Sequence, residues 1–355
     1  MHIDDLLRLA VKKSASDLHI KVSNFPILRI DGELVPQDIY PKVTTEWIEK
    51  SLKEIVDEKQ LKSFREILEL DYSYKISGLA YFRLNLSMQY RTVSMVFRLV
   101  NWDIPSIDAL GLPIICKDLM LKPRGLIIVT GPTGSGKSTT LAAMIDHLNR
   151  HERKRIVTIE DPIEYIFRDR KCVITQRELG IDTHSFSSAL IHALRQDPDV
   201  IMVGEMRDLE TIHAALTGAE TGHLVLATLH TPSAPEAIDR IIDVFPPHQQ
   251  HQIRLQLSQT LEGVLYQLLL KRRKGKGRVP AVEVMIATTA IRNMIRQNKT
   301  HQMLSVMETG ISSGMKSLNQ AMARLIKDNM ITYKEALLQS SDPKTLKRLM
   351  GGSSK

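Results

Sequence analysis

Eight consecutive residues in the middle of the chain have the types and spacing needed to hold phosphate groups: Gly131, Pro132, Thr133, Gly134, Ser135, Gly136, Lys137 and Ser138. They follow an apolar run typical of a strand and precede a helical pattern, which is the setting this motif requires. The glycines let backbone N–H groups close around phosphates, the lysine reaches the β and γ oxygens, and the last hydroxyl ligates Mg²⁺. We therefore predict binding of ATP and Mg²⁺, with Ser138 on the metal and nucleotide contacts from Pro132 to Thr139.

Glu205 is a candidate for the acidic partner of the metal. It follows the apolar run Val200–Val203 almost directly, and ligands of open α/β sheets bind at the carboxyl ends of the strands. An unpaired buried carboxylate is costly, so a Mg²⁺–water role is the favoured interpretation. A structural ion pair with Arg207 is the alternative.

A second acidic cluster, Glu160, Asp161 and Glu164, ends another apolar run, residues 156–159. A carboxylate at this position could be presented to the water that attacks a phosphate. The alternative for Asp161 is a helix N-cap, with Pro162 at the first helical position.

Two histidines bracket a further apolar run. His223 and His230 are seven residues apart, a span of about 23 Å in an extended strand, so both can touch one phosphate only if the chain folds back. His230 falls at the carboxyl end, where ligands bind, and is predicted to sense the γ-phosphate. His223 is equally compatible with a structural hydrogen bond and with a site role.

The elements that must position these residues change character along the chain. Residues 1–100 mix helical patterns at 3–10 and 45–68 with an Asp31-Gly32 turn and strands at 81–90 and 92–100, which predicts a small α+β domain. Residues 101–122, with Pro105, Gly111 and Pro113, read as a linker. From 123 onward, buried strands alternate with helices, which predicts an α/β domain with a parallel sheet, and residues 288–350 are helical.

The composition limits the kinds of protein, site and partner that are compatible with this chain. The 355 residues are 43% hydrophobic and 25% charged, and they contain neither an apolar run long enough for a membrane span nor a secretory signal, so a cytoplasmic globular protein is expected. Two cysteines, Cys116 and Cys172, are too few for a four-cysteine zinc site and are expected in the core. The net charge of +8 permits nucleic acid, lipid or acidic-protein partners. The densest run of positive charge, residues 271–278, lacks aromatic residues for base stacking and is interpreted as a solvated loop. Nucleic acid is therefore a disfavoured partner.

Taken together, these motifs resemble the secretion superfamily of hexameric ATPases, and most closely its pilus-retraction branch. The likeness extends over nearly the whole chain and rests on the phosphate loop 131–139, the acidic box 158–164, the segment 202–208 and the histidine box 222–230. Residues 290–297 look like the retraction branch's Ala-Ile-Arg-Asn-Leu-Ile-Arg-Glu helix, from which Met294 and Gln297 depart. The four-cysteine insert of the extension and type II branches is absent.

The resemblance implies a RecA-like ATPase core with C-terminal helices, preceded by a PAS-like domain, and a homohexameric motor that powers pilus retraction and twitching motility. It suggests Glu164 as the water-activating base and Glu205 at the metal. It also suggests that Arg83 and Arg98 reach the triphosphate, although their types alone favour plain strand-surface arginines. Implied partners are a membrane-embedded pilus platform protein and, optionally, an accessory retraction ATPase, with the motor peripheral to the inner membrane.

Within the helix at 290–297, spacing places Ile291, Met294 and Ile295 on one face and Arg292 and Arg296 on another. We expect the apolar face to anchor the helix and the arginine face to be exposed for coupling. Two rival functions remain: a nucleic-acid translocase, which the charge permits, and a nonhydrolysing accessory relative, which the intact Lys137, Glu164 and Glu205 disfavour.

Overall fold

The computed structural model describes residues 1–100, 103–275 and 277–351. The chain divides into two compact units. The first comprises Met1–Asp103 together with Glu164–Ile166, and the second comprises Ile104–Ile163 and Phe167–Lys355.

Three helices and six strands build the first unit within residues 1–100. The helices are α1 (Ile3–Lys12), α2 (Thr45–Ile55) and α3 (Glu58–Ile67). The strands are β1 (Asp17–Lys21), β2 (Ile27–Ile30), β3 (Glu33–Pro36), β4 (Glu69–Ile76), β5 (Ala80–Gln89) and β6 (Thr92–Val100). They form one antiparallel sheet in the order β3-β2-β1-β6-β5-β4. The predicted α+β class of this domain is confirmed.

Local sequence explains these elements. Asp31 and Gly32 both have positive φ, 50° and 88°, as a tight hairpin turn between right-twisted strands requires. The single helical stretch predicted at 45–68 is two helices, because Asp57 caps the second through a reciprocal pair of hydrogen bonds with Gln60. In β5, alternate residues are buried, including Phe82 and Leu84, so one face of the strand lies on the core.

Part of the predicted linker is instead packed into the second unit. Residues 103–122 include two short helices, α4 (Ile107–Leu110) and α5 (Ile115–Met120). Ile107, Cys116 and Leu119 are buried in the same cluster as the strand interiors of that unit. The prolines and the glycine that indicated a linker lie before α4 and between α4 and α5, whereas apolar residues of the two helices supply core contacts. Asn101 and Trp102 lie outside the described residues.

A seven-stranded sheet forms the centre of the second unit across the described residues. Its strands are β7 (Gly125–Thr130), β8 (Arg155–Glu160), β9 (Val173–Glu178), β10 (Val200–Val203), β11 (Leu224–Leu229), β12 (Leu261–Lys271) and β13 (Arg278–Ile286). The order is β13-β12-β7-β11-β10-β8-β9, and all pairs are parallel except β12 with β13. The predicted parallel sheet is therefore confirmed.

Helices cover this sheet. They are α6 (Lys137–His151), α7 (Phe186–Ala193), α8 (Leu209–Glu220), α9 (Ala234–Asp243) and α10 (Pro247–Thr260). Every residue of β7, β10 and β11 is buried, as expected for strands covered on both faces. The carboxyl ends of these three neighbours meet at one edge, which brings the segments that follow them together.

The C-terminal residues are helical, as predicted for 288–350. The helices are α11 (Thr289–Arg296), α12 (Met303–Thr309), α13 (Leu318–Lys327), α14 (Tyr333–Gln339) and α15 (Pro343–Leu349). Within the described part of the chain, no helix combines the length and the apolar character needed to cross a bilayer.

Candidate active site

The phosphate loop has the predicted strand–loop–helix setting. It leaves β7 after Thr130 and enters α6 at Lys137, with Ser138 and Thr139 in the first helical turn. Gly131 and Gly136 have φ of 145° and 88°, which glycine adopts without steric cost. Because the first N–H groups of a helix lack intrahelical acceptors, the start of α6 favours an anion.

Lys137 and Ser135 place two polar groups at this loop. Lys137 is only 9% exposed, and its Nζ donates to the carbonyls of Gly131 at 2.9 Å and Pro132 at 3.2 Å. The Ser135 Oγ is buried without a hydrogen-bond partner among the described residues. A buried hydroxyl, an ammonium and a helix start at one loop suit a phosphate group, so the residues present fit the predicted nucleotide.

Glu205 lies two residues beyond β10, beside the side chains of Arg207 and His230. Its Oε1 contacts the Arg207 Nε in an ion pair and lies 3.4 Å from the His230 Nε2. Burial raises the pKa of Glu205, but the hydrogen bond from Arg207 and the charges of His230, Arg207 and Lys137 outweigh it, so the pKa lies below its ordinary value. An ionised carboxylate at this strand end fits a metal-bound water. The ion pair between Glu205 and Arg207, which was the alternative interpretation of Glu205, is also present.

His230 lies beside both Lys137 and Glu205. It directly follows β11, as predicted, and its Nδ1 lies 3.5 Å from the Lys137 Nζ while its Nε2 faces Glu205. His223 is at the opposite end of that strand, where its Nδ1 lies 3.0 Å from the Gly218 carbonyl. His223 thus has the structural hydrogen bond that its sequence position left open.

The acidic box is divided between two environments. Glu160 is buried and accepts from Thr158 at 2.6 Å and from Gln176 at 3.0 Å. No helix begins at Asp161 in this described segment, so the N-cap interpretation is wrong; the Asp161–Pro162 peptide is cis. Glu164 is exposed and belongs to the first unit.

Arg83 and Arg98 are also in the first unit, directly opposite each other on β5 and β6. Such cross-strand neighbours are close enough to act on one ligand. The Arg98 Nε donates to the buried Asp17 at 2.9 Å, and the Arg83 Nε lies 3.8 Å from Asp71. Arg29, which pairs with Asp17 on the adjacent strand, extends the row by a third arginine that was not predicted.

Other contacts to the phosphate loop were missed by the sequence analysis. Gln267, in the middle of β12, hydrogen-bonds to the carbonyl of Ser135 at 2.7 Å. Arg278, the last residue of the run expected as a solvated loop, is exposed, but its Nη1 donates to the Gly134 carbonyl at 3.4 Å. Neither residue lies in a recognisable motif, and each is more than 130 positions from its partner. Lys271 is the last residue of β12, residues 272–275 and 277 lie in the turn between β12 and β13, and Lys276 lies outside the described residues.

Comparison with known proteins decides the family. The model of the type II/IV secretion system proteins matches residues 94–338. The chain belongs to this family. It is 46% identical to the type IV pilus retraction ATPase PilT of Pseudomonas aeruginosa, over 97% of this chain and 99% of that protein. It is 40% identical to the type IV pilus ATPase PilU of the same organism, over 99% and 91%.

A solved structure agrees with both the fold and the enzyme class. The crystal structure of the pilus retraction motor PilT with bound ADP is 44% identical and superposes with a TM-score of 0.91, covering 98% of this chain and 99% of that one. The chain is therefore an ATPase of the secretion family, with the RecA-like core and small N-terminal domain expected for it.

The helix that resembles the retraction branch's motif departs from one expectation. Ile291 and Ile295 are buried and anchor α11, as predicted. Arg292 is not a freely exposed side chain: it is 24% exposed, and its guanidinium donates to the carbonyls of Ser258 and Gln259 at the end of α10. It also donates to Glu262 at 2.8 Å. The arginine satisfies terminal helix carbonyls that would otherwise lack partners.

Proposed function

We propose that this ATPase is the homohexameric motor that retracts type IV pili and drives twitching motility by hydrolysing ATP to ADP and phosphate. The observation that carries the proposal is the meeting of Lys137, Glu205 and His230 at one sheet edge, in a chain alignable almost end to end with a pilus retraction ATPase. The motor acts at the cytoplasmic side of the inner membrane on a membrane-embedded pilus platform protein, with an accessory retraction ATPase as an optional partner.

The residues of the second unit divide the work of phosphoryl transfer. Lys137 stabilises negative charge on the β and γ oxygens, and backbone N–H groups from Pro132 to Thr139 hold the phosphates. Bound Mg²⁺ would supply positive charge that offsets the charge of the phosphates; the Ser138 hydroxyl and, through water, Glu205 would hold it. His230, within reach of both Lys137 and Glu205, reports whether the γ-phosphate is present.

Three further residues have proposed roles in hydrolysis. Glu164 orients and deprotonates the attacking water, since a carboxylate can accept its proton. Arg83 and Arg98 stabilise charge in the transition state, a contribution of roughly 10³ to 10⁵ in kcat for arginines of this kind. Their adjacency on β5 and β6 supports a joint role, because one anionic group could contact both guanidinium forks.

Purified protein and pilus-bearing cells together test the proposal. We expect Mg²⁺-dependent ATP turnover by particles with six times the chain mass in light scattering, and restored retraction in cells that lack their own retraction ATPase. Lys137→Ala should abolish turnover and retraction, whereas Lys344→Ala, an exposed lysine on α15, should change neither.

The contrary outcomes point to different functions. No turnover by the wild-type chain would refute the motor and favour a nonhydrolysing accessory relative. ATP turnover that requires DNA and falls steeply with salt would favour a nucleic-acid translocase. Normal turnover by hexamers that never restore retraction would refute only the pilus assignment.

A further inference from the structure

A buried glutamine in β12 spans the phosphate loop and the helix that follows it. Gln267 is 2% exposed. Its Nε2 donates to the Ser135 carbonyl at 2.7 Å, and its Oε1 accepts from the Thr140 hydroxyl at 2.7 Å. A carbonyl can only accept, so the orientation of the amide is fixed by these two partners. Burying an amide is costly unless it is bonded, and here both ends are bonded.

The same residue also packs against the first and last glycines of the motif. A Cβ on Gly131 would lie 2.4 Å from the backbone oxygen of Gln267, and a Cβ on Gly136 would lie 2.9 Å from its Nε2. The loop therefore contacts Gln267 near its beginning and at its end. These two glycines allow that close approach of β12, in addition to their unusual backbone conformations.

The contact with Ser135 determines how one peptide group of the loop is oriented. In a planar trans peptide the C=O and the next N–H point in opposite directions. Because the Ser135 carbonyl points toward Gln267, the N–H of Gly136 points away from β12. Reversal of this peptide would turn a carbonyl oxygen toward a bound phosphate, where like partial charges repel.

We propose that Gln267 is a positioning residue for nucleotide binding: it holds the Ser135–Gly136 peptide so that its N–H faces the phosphates and fixes the start of α6 through Thr140. The proposal rests on the proposed function only in taking the loop as the ATP site. Gln267 does not touch the substrate; it lowers the cost of ordering the loop around it.

Paired substitutions of two glutamines test this role. Gln267→Met keeps the length of the side chain but removes both hydrogen bonds. Gln320→Met is the matched control, since Gln320 on α13 also uses both ends of its amide, with Ser317 and Glu308, away from the loop. Affinity for a fluorescent ADP analogue should fall roughly 10- to 100-fold in Gln267→Met and stay at the wild-type value in Gln320→Met.

A pH profile separates positioning from simple loss of packing. In Gln267→Glu, the neutral carboxyl group can donate to Ser135 and accept from Thr140, but the ionised form has no donor. Burial raises the pKa of such a carboxyl group, so affinity should recover toward wild type as pH falls. Wild type and Gln320→Glu, measured in parallel, should show no such recovery of affinity at low pH. Thermal unfolding of every variant identifies the temperatures at which each one is folded.

Wild-type affinity in Gln267→Met would overturn the proposal, as would a deficit in Gln267→Glu that is the same at every pH. If Gln267→Met does not fold, the pH profile of the more conservative Gln267→Glu decides alone. Failure of the wild-type chain to bind nucleotide would instead refute the proposed function.

Discussion

Arg292→Ala is expected to destabilise the second unit rather than to uncouple its ATPase activity from movement. The guanidinium donates to two carbonyls at the end of α10, at 2.9 and 2.8 Å, and to Glu262 at 2.8 Å. A hydrogen bond to a charged group contributes about 1.5–3 kcal/mol, but three bonds to one partly exposed group are not additive. Lys122 still pairs with Glu262 in the variant. We therefore expect a loss of about 2–4 kcal/mol in the free energy of unfolding.

Thermal unfolding measures this loss. For domains of about 150–250 residues, 1 kcal/mol shifts Tm by roughly 2–4 °C, so Arg292→Ala should unfold about 4–16 °C below wild type. Arg292→Lys should give an intermediate value, because one ammonium cannot replace the planar fork. The neighbouring Asn293→Ala is the control: this exposed side chain contacts Arg296 on its own helix, and its loss should change stability by no more than about 0.5 kcal/mol.

A wild-type Tm for Arg292→Ala would refute the capping role. Such a result, combined with normal ATP turnover and lost retraction, would restore the expectation that this face is free for coupling. Loss of ATP turnover only at temperatures where the variant begins to unfold would agree with a capping role for Arg292.

Three further predictions concern other groups. Glu205→Gln should reduce kcat by about 10² or more while nucleotide affinity is retained, as measured by steady-state hydrolysis and equilibrium binding; unchanged turnover would remove Glu205 from the mechanism. Burial raises the pKa of Cys116 to about 12, so its alkylation at neutral pH, followed by mass spectrometry, should be slow in native protein and fast in denaturant. Burial raises the pKa of Asp17, but hydrogen bonds from Ser16 and Arg98 and the Arg98 charge hold it below its ordinary value. The stability that Asp17 contributes is thus present above its unfolded pKa, about 3.9, and lost as pH falls through the folded value. The free energy of unfolding, measured as a function of pH, should therefore fall less steeply in acid for Asp17→Asn than for wild type.

The sequence predicts best the elements whose signals are local. The strand Gly125–Thr130, the loop after it and the start of α6 follow one another in a motif with fixed spacing. Strands buried on both faces, such as β10 and residues 224–227 of β11, are continuous apolar runs. His230 and Glu205 could be placed at one edge because parallel strands share their carboxyl ends.

The sequence predicts poorly the features that depend on distant partners. Four of the six residues of β9 (Val173–Glu178) are polar, as an edge strand with one neighbour allows, so no apolar run marks it. The partners of Gln267 are 127 and 132 residues away. The periodicity of α11 correctly places Ile291 and Ile295 inside, but it contains no information that the end of α10 lies beside Arg292.

The pairing of β12 with β13 links several of these distant contacts. Gln267 is opposite Val282, and Tyr266 is opposite Glu283. Glu283 is buried and accepts from the N–H groups of Ala234 at the start of α9 and Leu318 at the start of α13, at 2.8 and 3.2 Å. A slip of one residue would turn every side chain of a strand to the other face. The register that directs Gln267 to the phosphate loop therefore also directs Glu283 to the starts of α9 and α13. The phosphate loop, α9 and α13 cannot shift along the β12–β13 hairpin independently, because such a shift would leave buried polar groups unpaired.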